Sequence, residues 1–221
     1  MKHLLTFLRH GVSGTLALTV GSPSFDRRYS VLKHLAFMLL FLLGSLNVWG
    51  ETEYELVYTL DCASASTNGT QQKYGVNNTT VMQGSGVKAF LNEAAGSTLI
   101  SADATVTGSV YWAKGSGGGV IPNAVLKLGK SSGGGTISFT IGGADDITKV
   151  EVIGYGWKTT TAVSVNASDA QKPSEAQSEK TFSYEISATK TIEIAVTSSA
   201  FCATKIKLYK TKAGGSTKPT V

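Results

Sequence analysis

From Tyr54 to Tyr209 the sequence alternates apolar and polar residues with a period of two, segment after segment. Successive side chains of a β-strand point to opposite faces, so each such segment describes a strand with one face buried and one exposed. Tyr54, Leu56, Tyr58 and Leu60 alternate with Glu55, Val57 and Thr59. Val106, Val110 and Trp112 alternate with Thr105, Thr107, Ser109 and Tyr111. The pattern returns in Ile137, Phe139 and Ile141, in Val150 and Val152, and in Phe182, Tyr184 and Ile186. It closes with Ile192, Ile194 and Val196, then Ile206 and Leu208. Ala124–Leu128 and Thr161–Val165 are shorter candidates.

One-sided strands bury that side against a second sheet, and clusters of Gly, Ser, Thr and Asn between them supply the turns. The sequence therefore predicts an all-β antiparallel sandwich or barrel of roughly nine strands. One short helix is expected at Val87–Ala95, between Gly86 and Gly96. No strand–helix–strand rhythm appears, which argues against a parallel α/β fold. Gly115–Gly119, Ser131–Gly135 and Ser168–Lys180 read as connections.

Residues 1–50 read differently. The basic stretch Arg27–His34 precedes the apolar run Leu35–Leu46 and then Val48-Trp49-Gly50, the order of a cleaved secretory leader. A run of about 12 residues is too short to cross a bilayer as a helix, so cleavage is expected rather than stable membrane insertion. Val31 is an alternative start, giving a compact leader, and no lipoprotein box is present. The expected organisation is a leader over 1–50, a sandwich over 51–211, and a flexible tail or linker over 212–221 that could join a further domain. The expected location is secreted, periplasmic or on the cell surface.

This division changes the meaning of the net charge of +5. Lys2, Arg9, Arg27, Arg28 and Lys33 against Asp26 give the leader +4, which leaves +1 for the rest. Beyond His34 the chain has neither arginine nor histidine. Without arginine a nearly neutral domain lacks the usual bidentate ligand of phosphate and guanine, so a nucleic-acid partner is not expected. Without histidine there is no Ser-His or Cys-His nucleophile system, and a zinc site loses its commonest nitrogen ligand. Neither a metal nor a cofactor is expected.

Carboxylate chemistry remains open, since glycoside hydrolysis needs only two acids. Asp103, Asp145, Asp146, Glu151 and Glu185 are the candidates, and no spacing singles out a pair. Gly129-Lys130-Ser131 resembles the end of a phosphate loop, but a glycine-rich turn follows where a helix should begin, so it reads as a hairpin. Asn68, Asn77, Asn78 and Asn166 stand in N-glycosylation patterns, as chance allows in a chain rich in Ser and Thr.

The aromatic residues divide by parity. Trp112 shares the core parity of Val106 and Val110. Tyr155 and Trp157 share the parity of Lys149 and Glu151, which puts them on the outer face within Gly154-Tyr155-Gly156-Trp157. They either stack on a sugar or partner, or lie under a covering loop. Tyr111, on the outer parity of its own segment, completes the candidate ligand-binding set. The two cysteines of the chain carry a further expectation. Cys62 continues the inward parity of Leu60, and Cys202 shares parity with Ile206 and Leu208. First and last strands often lie side by side in sandwiches, so a disulfide between them is expected, with Cα atoms about 5.5–6 Å apart.

The phrases Leu126–Ser132, Thr136–Phe139, Ile147–Gly156, Lys190–Val196 and Ala203–Tyr209 resemble jelly-roll β-sandwich modules of secreted bacterial proteins, similar in shape to galactose-binding and carbohydrate-binding domains. The likeness spans roughly residues 53–210 and lies in strand pattern and short phrases. It implies a jelly roll with ligands at loop ends or on a concave face, and it brings no catalytic motif. The expected function is a non-catalytic module that binds glycan or serves as an accessory surface domain. The alternatives are an adhesive module with a protein partner and a carboxylate-dependent hydrolase.

Overall fold

Among the described residues, ten strands and one helix form the sandwich that the alternation predicts. The computed structural model describes residues 52–65, 74, 80–113 and 125–212. The expected leader, Asn68, Asn77, Asn78 and nearly all of the expected tail lie outside them. The elements run β1 (Tyr54–Asp61), α1 (Gly84–Ala95), β2 (Thr105–Gly108), β3 (Val110–Ala113), β4 (Val125–Leu128), β5 (Gly135–Thr140), β6 (Ile147–Gly156), β7 (Ala162–Val165), β8 (Glu179–Thr189), β9 (Thr191–Thr197) and β10 (Phe201–Thr211). Among the described residues no helix is long and apolar enough to cross a membrane.

All pairings are antiparallel. One sheet has six strands in the order β3-β4-β10-β6-β8, with β1 also paired to β10. The other has four, in the order β2-β5-β9-β7. Strand β10 organises the larger sheet. One edge of it pairs β4 through Phe201–Ala203 and then β1 through Lys205–Thr211, while the other edge pairs β6 from Phe201 to Tyr209. The change of partner coincides with a bulge between Ala203 and Lys205. An extra residue in a strand reverses the facing of everything on one side of it.

The inward residues of both sheets meet in one core. Leu60, Trp112, Leu126, Val152, Phe182, Phe201 and Ile206 come from the larger sheet; Ile137, Phe139, Val163, Ile192 and Ile194 come from the smaller. The hydroxyl of Tyr184, on β8, donates to the Val163 carbonyl on β7 at 2.6 Å and ties the two sheets at one side. Helix α1 supplies Val87, Phe90, Leu91 and Ala94 to the same core. It starts at Gly84, three residues before the predicted start, because Gln83 in extended backbone initiates it. Gly96, at φ 64°, ends it as predicted by returning its N–H to Asn92 and Glu93 carbonyls.

The glycine-rich segment after β4 is a hairpin, with Lys130 and Gly133 bonded backbone to backbone, and not a phosphate loop. Asn166 sits in a left-handed turn at φ 48°. Its side chain donates to the Thr191 carbonyl and accepts from the Glu193 N–H, so the amide already serves the fold.

Candidate functional site

Cross-strand register places the outward residues of the six-stranded sheet in rows. Tyr111 opposes Lys127, Lys127 opposes Cys202, Cys202 opposes Tyr155, and Tyr155 opposes Glu179. Side chains opposite one another in a sheet lie about 4.5–5.5 Å apart at Cβ, so five strands contribute to one line across the outer face. Trp157 follows just beyond β6, its N–H donating to the Ala200 carbonyl at 2.9 Å. On the same face Ala113, Val125 and Cys202 form a small apolar cluster, separate from the main core, and Tyr155 and Trp157 pack half-buried against it.

Tyr155 and Trp157 thus stand on the outer face that their parity predicts, with part of each ring open. Burial and the Glu179 carboxylate raise the pKa of the Tyr155 phenol, which keeps it a neutral donor. Tyr111 differs. Only 6% of it is exposed, so it supports the patch and offers little contact surface. The Lys127 ammonium lies 5.9 Å from its ring centroid. Glu179 accepts from the Thr204 hydroxyl at 3.2 Å, and that hydroxyl also lies 3.2 Å from the Ile153 carbonyl. The bulge residue therefore fixes the acid that borders Tyr155.

The expected disulfide is corrected here. β1 and β10 do lie side by side, with Leu60 opposite Ile206. Yet both cysteines are free and buried. Cys62 belongs to the core between the sheets, whereas Cys202 lies in the outer cluster under Tyr155. The bulge at Thr204 is the reason: it breaks the parity that linked Cys202 to Ile206 and turns the sulfur to the other face. Burial pushes the thiol pKa of Cys62 up to about 12 and that of Cys202 up to about 11. Thiols so placed are poor nucleophiles. Intact mass should be the same with and without reductant, with two sites alkylating once the protein is unfolded and almost none before. A mass gain of two hydrogens on reduction would contradict this placement.

Four of the candidate carboxylates are engaged by other side chains. Asp103 pairs with Lys88 at 3.6 Å and Asp145 with Lys210 at 3.1 Å. Burial and the neighbouring Glu185 carboxylate raise the pKa of the Tyr54 phenol. Glu151 is the most engaged: the Tyr209 hydroxyl donates to it at 2.7 Å, with Lys149 at 3.2 Å and Lys207 at 4.0 Å. Burial opposes its ionisation, but these three partners outweigh burial and hold its pKa below the usual carboxylate range. That is a carboxylate kept charged, the opposite of what a general acid needs.

The fold and this face define an antiparallel β-sandwich with an aromatic patch on the outside of its larger sheet. No protein-family model matches the sequence, and no curated protein matches it. Among solved structures, the chain is similar to an exo-β-1,3-galactanase from Phanerochaete chrysosporium with galactose, at 17% identity and a TM-score of 0.32, over 49% of this chain and 30% of that one. It is also similar to a carbohydrate-binding module of family 61 in complex with β-1,4-galactotriose, at 13% identity and a TM-score of 0.30, over 49% of this chain and 84% of that one. A truncated AlyQ with family 32 carbohydrate-binding and alginate lyase domains gives 18% identity and a TM-score of 0.29, over 44% of this chain and 28% of that one. The chain spans less than a third of the galactanase it matches. At these scores the fold class rests on the strands themselves.

Proposed function

We propose that this is an exported, non-catalytic β-sandwich module that binds glycan on the outer face of its six-stranded sheet, in a secreted, periplasmic or surface location. One observation carries the reading. Tyr155 and Trp157 both pack half-buried against one apolar cluster that does not belong to the main core. Rings held by packing yet partly exposed suit the apolar faces of sugar rings. Lys127 and Glu179 on the same line supply a donor and an acceptor for hydroxyl groups. A protein-binding reading draws on Leu56, which is 48% exposed on β1, but a single exposed leucine is ordinary on a protein surface. Against the hydrolase reading stands Glu151, which Tyr209, Lys149 and Lys207 hold in its charged form.

The test is retention on immobilised neutral polysaccharides (xylan, mannan, β-glucan and galactan) followed by calorimetry on the one retained. Tyr155→Ala and Trp157→Ala should each weaken binding about tenfold. A stacked aromatic contributes about 0.5–1.5 kcal/mol beyond its buried area, and about 1.4 kcal/mol is tenfold. The unfolding transition should shift little, because both rings lie outside the main core. Full affinity in the double variant would remove the site from this face.

A further inference from the structure

The outer face does not end at Tyr155. From Trp157, just beyond β6, the outer side continues back along the strand through Tyr155, Ile153, Glu151 and Lys149, and the neighbouring strands continue the rows. Ile153 is flanked by Lys205 and Thr181, Glu151 by Lys207 and Ser183, and Lys149 by Tyr209 and Glu185. At the far end a second aromatic pair appears. The Lys149 ammonium lies 5.1 Å from the ring centroids of both Tyr54 and Tyr209. Lys149 lies six positions before Tyr155, about 20 Å of strand at the usual rise. Two aromatic stations therefore stand on one face, joined by a polar stretch.

We propose that this face is a track for several consecutive sugars of an uncharged polysaccharide, running along β6 from Trp157 to Tyr209, rather than a site for one terminal sugar. The proposal rests on the glycan-binding reading above. Three features carry it. The aromatic stations are too far apart to touch one sugar ring together. The stretch between them offers hydroxyl, carboxylate and ammonium groups on Ser183, Glu151 and Lys207, which match the hydroxyls of a polymer. Three lysines of this face already meet acids: Lys149 and Lys207 share Glu151, and Lys205 meets Asp61 at 3.9 Å. An acidic polysaccharide would have to compete with those carboxylates for the same lysines, and an uncharged one leaves the pairs intact.

The geometry also orders the track. Tyr209 is held by its bond to Glu151, and Glu151 by two lysines, so the distant station is set in place before any ligand arrives. Such preorganisation lowers the entropy lost on binding.

Affinity measured for mono-, di- and longer oligosaccharides of the retained polysaccharide tests the idea. Affinity should rise with chain length until the ligand reaches Tyr209. Tyr209→Ala should weaken binding of the long oligosaccharides about tenfold and leave the disaccharide unchanged, while Tyr209→Phe, which keeps the ring, should retain most of the long-chain affinity. Equal affinity for disaccharide and long chains, or an unaltered Tyr209→Ala, would overturn the track and leave the Tyr155–Trp157 site standing. Polygalacturonate bound as tightly as the uncharged chains would overturn the stated ligand class. If no polysaccharide is retained at all, the glycan reading falls and the track falls with it.

Discussion

Replacing Phe201 by alanine should lower the unfolding free energy by about 3–5 kcal/mol, the cost of truncating a fully buried phenylalanine in a core that cannot close around the void. Phe201 has no exposed surface. It opens β10 opposite Leu128 on one side and Gly156 on the other, and its ring centroid lies 5.7 Å from that of Phe182. Three strands of the larger sheet therefore lose packing together. Denaturant titration should show a lower midpoint with an unchanged slope, since the surface exposed on unfolding barely changes. A loss below about 1 kcal/mol would mean that the bulge does not turn Phe201 inward, and the facing of Cys202 would be wrong with it.

Gly135→Ala should be nearly as damaging for a different reason. A β-carbon at Gly135 would stand 2.1 Å from the Ser109 carbonyl oxygen and 2.7 Å from the Gly129 nitrogen. Both are backbone atoms, so no rotamer change relieves the clash. Either the β2–β3 connection or the β4–β5 hairpin must move. Overpacking of this kind typically costs about 1–3 kcal/mol, and the rigidity of both neighbours puts this site at the upper end. Gly96 is the natural control. It has φ 64°, and a β-carbon there would meet nothing within 4 Å, so alanine incurs only the left-handed backbone penalty of about 1–2 kcal/mol. Equal losses at the two sites would show that contact at Gly135 does not matter.

The sandwich was legible because each one-sided strand states its own burial. Val150, Val152, Ile192 and Ile194 all face the core that their alternation predicts. Trp112 does too, and Tyr155 and Trp157 keep their outer parity because β6 is regular where it carries Tyr155. What period two cannot register is an interruption of the period. Thr204 occupies a bulge in an otherwise ordinary strand of Ala, Thr, Lys and Ile, and no glycine or proline marks it. Parity carried across Thr204 reverses its sign, which is why period two alone sets Cys202 facing Cys62. Tyr111 shows a second limit. Parity gives the face of a residue and not what lies over it, so a residue can point outward and still be 6% exposed.

The distant part of the face was hidden for a related reason. Tyr54, the Lys149–Glu151 segment and Tyr209 are far apart in sequence and meet only because β1 and β6 flank β10. Their residue types are visible in the chain, but their adjacency depends on strand order, which local periodicity does not encode.

Tryptophan fluorescence tests the central claim most directly. Of the three tryptophans in the chain, Trp112 is buried in the core and Trp157 is half-open on the candidate face. Saturating the protein with a retained uncharged polysaccharide should shift the emission to the blue and cut acrylamide quenching, and Trp157→Phe should abolish both changes. Quenching that stays the same at saturation, or a change that persists in Trp157→Phe, would place the ligand elsewhere and contradict the account.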